Sequence, residues 1–379
     1  MQASLRAALP EPSGEPLGKP ERARVWPACI EKREGEDENG RAMMVGAQLY
    51  VYMQEYERLG WDFEASLDEI LGEIREAGYQ AVEGFLHFCA TKEGAEHWRG
   101  LLARYDLRAP SLYTGGNLYE PPPPDPALND YLATLAPRHR EVLCARFGAG
   151  DNPPLMIEEI ERALGLSRRD IQRIEGEALS ELRQLARHQA RLPGVVDHIL
   201  EAAQWANAAH CQALVINPDV KRERKTDAEL RWQAFHLDLL GAGLKRLEMA
   251  LWIHNHDAEM RDNARELRAN LDWTDPNRVG FCADVHWIWR GGGDPYAYLE
   301  RYGSRVGSLH LRNSRGGVWS EELGDGDVDY RRVAAILREQ GFRGPLVVEL
   351  AIETGTPQTR PLAESLRLSR AYVQEVFGV

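Results

Sequence analysis

The chain has 379 residues, which is long enough for one barrel-sized domain and a small additional module. Its 59 acidic and 46 basic residues give a net charge of −13. This charge argues against a protein dedicated to nucleic acid, because binding phosphates needs a basic surface. The five cysteines are scattered and odd in number, which is typical of a reducing cytoplasm.

The first 42 residues are rich in Pro, Gly, Glu and Arg and have little periodic apolar pattern. They are predicted to form a disordered N-terminal tail, or to lie upstream of a start at Met43 or Met44. They contain no apolar segment of the kind a signal peptide needs. No apolar run anywhere in the chain approaches the ~20 residues of a membrane span.

From residue 45 onward, apolar strand patterns alternate with amphipathic helical ones, such as 63–78 and 195–209. Eight strands, each followed by a helical segment, predict an α/β fold, the (β/α)8 TIM barrel. The predicted strands are 45–52, 80–86, 108–114, 211–217, 247–254, 279–284, 306–311 and 345–350.

One gap between strands is much longer than the others, and it lies between the third and fourth strands. A proline-rich spacer at 120–126 opens it, and a Leu-Pro-Gly segment at 192–194 closes it. The predicted division is therefore a tail (1–42), barrel strands one to three (43–119), a linker with a helical module (120–192), and barrel strands four to eight (193–379).

The module has three helical patterns, at 137–148, 156–166 and 167–185. Ser167 is predicted to cap the third helix. Its apolar residues recur at a spacing of three to four and predict a small core. They are Ile171, Ile174, Ala178 and Leu182.

Residues 135–185 resemble the fourth region of bacterial sigma factors, a helix-turn-helix that reads promoter DNA. The resemblance places Arg168, Arg169, Gln172 and Arg173 toward bases and phosphates. Residues 137–191 hold ten arginines against nine acidic residues, so the module is only weakly basic. Two roles follow as hypotheses: a lid or subunit contact, or a DNA- or RNA polymerase-binding module.

Polar segments follow four successive strands, at the end of a barrel where active sites form. They read HNHDAE (254–259), ADVHW (283–287), LHLRNS (309–314) and VVELAIE (347–353). In this order they resemble the xylose-isomerase-like superfamily of sugar phosphate isomerases, epimerases and inosose dehydratases. The resemblance covers residues 45–118 and 195–379.

The resemblance implies a divalent cation, Mn²⁺, Mg²⁺, Co²⁺ or Zn²⁺, on Asp284, His310 and Glu349. Many relatives have a glutamate ligand in strand five, where this chain has Trp252. His254, His256 and Glu259 are the alternatives for the fourth ligand. The candidate catalytic groups are Glu349, His254 and His256, and the candidate substrate-binding residues are His286, Arg312, Arg315, Glu83 and Trp287.

This constellation predicts a sugar or keto-sugar isomerase, epimerase or lyase that removes a proton next to a metal-bound carbonyl. The expected partners are a small sugar and a second copy of the chain, with no membrane. The alternative is a transcription regulator, in which the barrel senses a sugar and the sigma-like module binds promoter DNA or RNA polymerase.

Overall fold

The computed structural model describes residues 43–120, 135–147, 154–185, 194–221 and 224–379, with the side chains of 179–185 omitted. The predicted tail (1–42), nearly all of the proline spacer and residues 192 and 193 lie outside these ranges. None of the described helices is both long and apolar enough to cross a membrane.

Eight parallel strands close into a barrel in the order β1-β10-β7-β6-β5-β4-β3-β2, which confirms the predicted TIM barrel. The two remaining strands form a small antiparallel hairpin after β7. The strands are β1 (Val45–Gln48), β2 (Ala81–Phe85), β3 (Ser111–Gly116), β4 (Ala213–Pro218), β5 (Ala250–His254), β6 (Gly280–Asp284), β7 (Val306–Leu311), β8 (Ser314–Arg315), β9 (Val318–Trp319) and β10 (Leu346–Val348).

The helices around the barrel bury one apolar face each against the strands, in a single continuous core. Some of them begin with a side-chain cap: Thr226 and Glu229, for example, form a capping box at the start of helix Asp227–Arg246. These helices are α1 (Tyr50–Leu59), α2 (Leu67–Glu76), α3 (Lys92–Arg104), α7 (Gly194–Ala208), α8 (Asp227–Arg246), α9 (Asp257–Asp272), α10 (Val285–Arg290), α11 (Pro295–Tyr302), α12 (Tyr330–Glu339) and α13 (Leu362–Phe377).

The first strand is shorter than predicted. It ends at Gln48, and α1 begins at Tyr50, within the segment expected to be strand. The buried residues Tyr52 and Tyr56 are four apart, which is helical spacing, so α1 buries them on one face. An apolar run this short fits either period, and packing decides between them.

The described part of the predicted module, between β3 and α7, contains three helices: α4 (Pro137–Phe147), α5 (Ile157–Leu164) and α6 (Arg168–Leu185). They share a small core of Val142, Ile157, Ile160, Ile171 and Ile174, which is separate from the barrel core. Ala178 is also buried, whereas the side chain of Leu182 lies outside the described residues. We call these three helices the insert.

The insert joins the barrel through buried polar contacts. Arg146 of α4 is 1% exposed and lies 3.3 Å from Glu175 of α6 and 3.2 Å from Asp238 of α8. Gln172 of α6 donates a hydrogen bond of 2.7 Å to Asp275, in the loop between α9 and β6. These contacts hold the insert against the outer flank of the barrel and the loop before β6, because α8 lies outside the strands.

We expect Arg146→Met to destabilise the protein by about 3–5 kcal/mol, because it leaves two buried carboxylates without their shared cation. Urea denaturation followed by circular dichroism measures the change. Arg169→Met is the matched control: Arg169 is exposed on α6, and its loss should change stability by less than about 0.5 kcal/mol. Equal stability of both variants and the wild-type chain would contradict a docking role for Arg146.

Candidate metal centre and active site

Four ligand-type side chains meet at the carboxyl end of the barrel. His254 ends β5, Asp284 ends β6, His310 lies near the end of β7, and Glu349 follows β10. All four are buried, and one potential ligand atom from each lies within 4.8 Å of the others. We call these four residues the cluster. The structure thus brings together Asp284, His310 and Glu349, the ligands that the family resemblance implied. His254, one of the alternatives for the fourth ligand, lies with them.

Local hydrogen bonds hold Asp284 in place. Its Oδ1 accepts from the backbone N–H of Trp287 at 2.8 Å, which caps α10 and leaves Oδ2 toward the cluster. Asn255 exchanges two hydrogen bonds of 3.1 Å with the backbone of Asp284, which tie the ends of β5 and β6 together.

Arg312 is the cationic partner of the cluster. Its guanidinium donates to Oδ2 of Asp284 at 2.7 Å and also contacts Oε2 of Glu349. The side chain is 3% exposed and lies near the rings of Trp287 and Trp319. Arg312 was predicted to hold a hydroxyl or anionic group of the substrate, whereas here these donors serve the two carboxylates.

Charge compensation keeps both carboxylates ionised. Burial alone would raise the pKa of Asp284, but Arg312 and His254 outweigh it and hold that pKa well below its usual range. Burial likewise opposes ionisation of Glu349, yet Arg312 and His310 lower its pKa. Ionised carboxylates are the form that binds cations.

His254 is fully buried, and burial is the largest influence that holds its pKa below the usual value. Neither of its ring nitrogens has a hydrogen-bond partner among the described residues. Buried polar groups are normally paired, so an imidazole left in this way calls for an explanation. A bound cation would supply it, and two imidazoles with two carboxylates form a donor set suited to Mn²⁺, Co²⁺ or Zn²⁺.

His310 lies between two carboxylates. Its Nδ1 is 2.6 Å from Oε2 of Glu349, and its Nε2 is 2.8 Å from Oε1 of Glu83. Burial opposes protonation, but contacts with Cys282, Glu83 and Glu349 raise the pKa of His310 well above its usual value. Glu83 is therefore part of the buried network behind the cluster.

His256 stands beside the cluster but is not one of its four members. Its ring centroid is 4.7 Å from that of His254 and 5.4 Å from that of Trp287, and the side chain is partly exposed. Burial and the neighbouring His254 lower the pKa of His256 to about 3, so its ring is neutral. Glu259, the remaining candidate for the fourth ligand, accepts a hydrogen bond from the backbone N–H of His256 and completes the cap of α9.

Two other predicted substrate-binding residues, His286 and Arg315, pair with residues outside the cluster. His286 is buried, and its Nε2 is 2.9 Å from Oγ of Ser314. Arg315 is exposed on the β8–β9 hairpin and pairs with Glu322. Trp287, by contrast, lies beside both His256 and Arg312.

Two aspartates before α12, Asp327 and Asp329, have different roles. Asp329 caps α12, accepting from the N–H groups of Arg331 and Arg332. Asp327 instead accepts from Ser314 and from the N–H groups of Gly316 and Gly317, which fixes the hairpin turn.

Two residues near the cluster were not recognised from the sequence. The ring of Tyr113, on β3, lies 5.7 Å from that of His254 and 6.4 Å from that of His310. Ser111, at the start of β3, donates to Glu83. Their alternation along β3 places them on one face of the strand, a signal that could have linked both to the interior of the barrel.

Trp252 occupies the position where many relatives have a glutamate, and it packs against neighbouring strands of the barrel. Its indole lies against Gly280 and Gly307, at the starts of β6 and β7, where a side chain would have no room. Trp252 therefore fills the opposite end of the barrel interior from the cluster.

Comparison with protein families identifies the architecture. Residues 181–372, half of the chain, match the model of the xylose isomerase-like TIM barrel. The chain belongs to this family. Residues 131–184 match sigma-70 region 4, which agrees with the resemblance of the insert.

Similar proteins come from two groups. One is the inosose dehydratases: that of Clostridium tetani is 28% identical over 172 residues, which are 41% of this chain and 57% of the relative. That of Geobacillus kaustophilus is 30% identical over 147 residues, 34% of this chain and 47% of the relative. The chain thus spans about half the length of these relatives.

The other group matches the insert alone. The RNA polymerase sigma-C factor of Nostoc sp. is 47% identical over 57 residues, which are 15% of this chain and 14% of the factor.

Solved structures share the fold at low identity. A sugar phosphate isomerase/epimerase from Parabacteroides distasonis has a TM-score of 0.55 at 16% identity, covering 91% of this chain and 98% of its own. D-Psicose 3-epimerase from Clostridium cellulolyticum has a TM-score of 0.57 at 10% identity, covering 88% and 99%.

Proposed function

We propose that the chain is a divalent-metal-dependent enzyme that removes a proton next to the carbonyl of a sugar or cyclic keto-sugar. The observation that carries the proposal is the cluster, with four potential ligand atoms within 4.8 Å at the end of the barrel where active sites form. The relatives named inosose dehydratases support a reaction in which loss of the proton is followed by loss of a hydroxyl.

In this proposal His254, Asp284, His310 and Glu349 hold the cation. When bound, the cation withdraws electrons from the carbonyl and stabilises the negative charge that develops as the neighbouring proton leaves. Arg312 stays beside Asp284 and Glu349 and balances part of their charge. Two aromatic side chains would border a sugar ring bound at the cluster. Tyr113 lies beside His254, and Trp287 lies beside His256 and Arg312.

Of the three catalytic candidates, His256 fits the role of proton acceptor best. Glu349 is occupied by Arg312 and His310, and His254 belongs to the cluster. His256 is adjacent to the cluster and partly open to solvent, so its ring lies where it could reach a bound substrate.

A dehydratase fits better than a two-base epimerase. An epimerase that exchanges protons on opposite faces of a carbon needs two groups of comparable kind, one on each face. The usual strand-five glutamate is replaced by Trp252, which packs at the other end of the barrel. Elimination needs a single base to start, and His256 supplies one.

We infer that the insert is a fixed structural module on the flank of the barrel rather than a DNA reader. Gln172, one of the four positions implied to face DNA, bonds to Asp275 of the barrel. Arg168 and Arg173 are exposed but pair with Glu158 and Glu177 within the insert. Arg169 is the one position of the four that these contacts do not engage, and a single arginine binds phosphates weakly. The regulator alternative is therefore not favoured.

We expect Asp284→Ala and His254→Ala each to lower the affinity for Mn²⁺ by at least 100-fold, since each removes a ligand. Isothermal titration calorimetry of the metal-depleted protein measures this. Asp294→Ala serves as the control: Asp294 caps α11 outside the cluster, and its loss should leave the affinity unchanged. Full Mn²⁺ affinity in both cluster variants would defeat the assignment.

We expect His256→Gln to reduce proton exchange of a bound inosose or keto-sugar with D₂O by about 100-fold or more, while Mn²⁺ affinity changes less than threefold. Proton NMR of the substrate follows the exchange, and calorimetry follows the metal. An unchanged exchange rate would remove His256 as the base. A large loss of Mn²⁺ affinity would instead make His256 a ligand.

We expect the full chain to bind a duplex carrying a promoter −35 element no more tightly than a scrambled duplex. Fluorescence anisotropy at 50 and 200 mM salt measures both. Tighter binding of the promoter duplex, lost in Arg169→Ala, would revive the regulator hypothesis.

A further inference from the structure

Glu83 was predicted to contact substrate, but its surroundings point to another role. It lies on β2 and is completely buried. Its Oε2 accepts a hydrogen bond of 2.5 Å from Oγ of Ser111, and its Oε1 lies 2.8 Å from Nε2 of His310. The neighbours of this carboxylate are thus groups of the protein itself.

The two nitrogens of His310 have different neighbours. Nδ1 faces Glu349 at 2.6 Å and so belongs to the cluster, whereas Nε2 faces Glu83. An ionised carboxylate can only accept, so Nδ1 carries the proton of the hydrogen bond to Glu349, and a cation bound at Nδ1 would take the place of that proton. The contact of Nε2 with Glu83 lies on the other side of the ring and keeps Nδ1 facing the cluster.

We propose that Glu83 is the positioning residue for His310: its contact with Nε2 holds the orientation of the ring, so that Nδ1 faces the proposed cation. Ser111 in turn fixes Glu83. This inference rests on the proposed metal-dependent function. It extends that function from the four ligands to a three-residue support, Ser111–Glu83–His310, that runs across β3, β2 and β7.

The contact between Glu83 and His310 needs little adjustment to become a hydrogen bond. Oε1 of Glu83 lies 2.8 Å from Nε2 of His310, although the pair does not have the geometry of a hydrogen bond. A small rotation of the ring would align Nε2 with Oε1, because the two atoms are already within hydrogen-bond distance.

The test compares Glu83→Gln and Glu83→Ala with Glu201→Gln, a control on the exposed face of α7. Glutamine keeps the shape of the side chain and one acceptor oxygen but loses the charge, so folding should be preserved; circular dichroism of the metal-free protein checks this. Loss of an outer carboxylate that orients a ligand histidine typically costs 10–100-fold in metal affinity. We expect about 10-fold weaker Mn²⁺ binding for Glu83→Gln and about 100-fold for Glu83→Ala.

A second readout separates positioning from mere structural support. In the Co²⁺-loaded protein, a misoriented His310 should change the visible absorption bands, and this change should appear in Ser111→Ala to a smaller extent. Unchanged Mn²⁺ affinity and an unchanged Co²⁺ spectrum in Glu83→Gln would overturn the proposal, even if that variant melted at a lower temperature.

The metal-dependent function and the positioning role of Glu83 can be refuted separately. If the wild-type chain binds neither Mn²⁺ nor Co²⁺, the proposed metal-dependent function fails, and the role of Glu83 fails with it. If the wild-type chain binds them and Asp284→Ala does not, while Glu83→Gln binds as tightly as wild type, only the role of Glu83 is refuted.

Discussion

The structure depends on charge balance at the open end of a closed barrel. Two ionised carboxylates, Asp284 and Glu349, are held out of water within reach of two imidazoles and one guanidinium. Burying such charges is costly unless each is paired. Arg312 provides the pairing within the chain, and it keeps the carboxylates in the form that a cation would bind.

The barrel explains how residues distant in sequence reach this arrangement. Parallel strands bring their carboxyl ends to one face, and the register aligns Asp284 of β6 with His310 of β7. Support then comes from strands that carry none of the four cluster residues: Glu83 of β2 stands behind His310, and Ser111 of β3 stands behind Glu83. The cluster and its supporting residues therefore draw on six of the eight barrel strands: β2, β3, β5, β6, β7 and β10.

The insert folds around its own core and is attached to the barrel by polar contacts. Its three helices have their own small core, and it meets the barrel through Arg146, Gln172 and their polar partners. A helix with the pattern of a DNA-reading element thus uses one of its implied reading positions to bind the barrel of its own chain. The similarity to sigma-70 region 4 accounts for the three-helix fold of the insert. Its contacts in this chain are with the barrel.

The sequence by itself determined the barrel and the three-helix insert, because strand and helix periodicity are local patterns. That Asp284, His310 and Glu349 belong to one site was implied by the resemblance of the strand-end motifs to a known family. It did not determine the boundary between β1 and α1, since an apolar run of a few residues fits either period. The tertiary structure alone decided that His254 joins the cluster while His256 stands beside it, and that Arg312 and Glu83 are tied to the cluster and to His310. These outcomes depend on which side chains meet across strands that are far apart in the chain. The order of residues along the chain does not show which side chains come into contact.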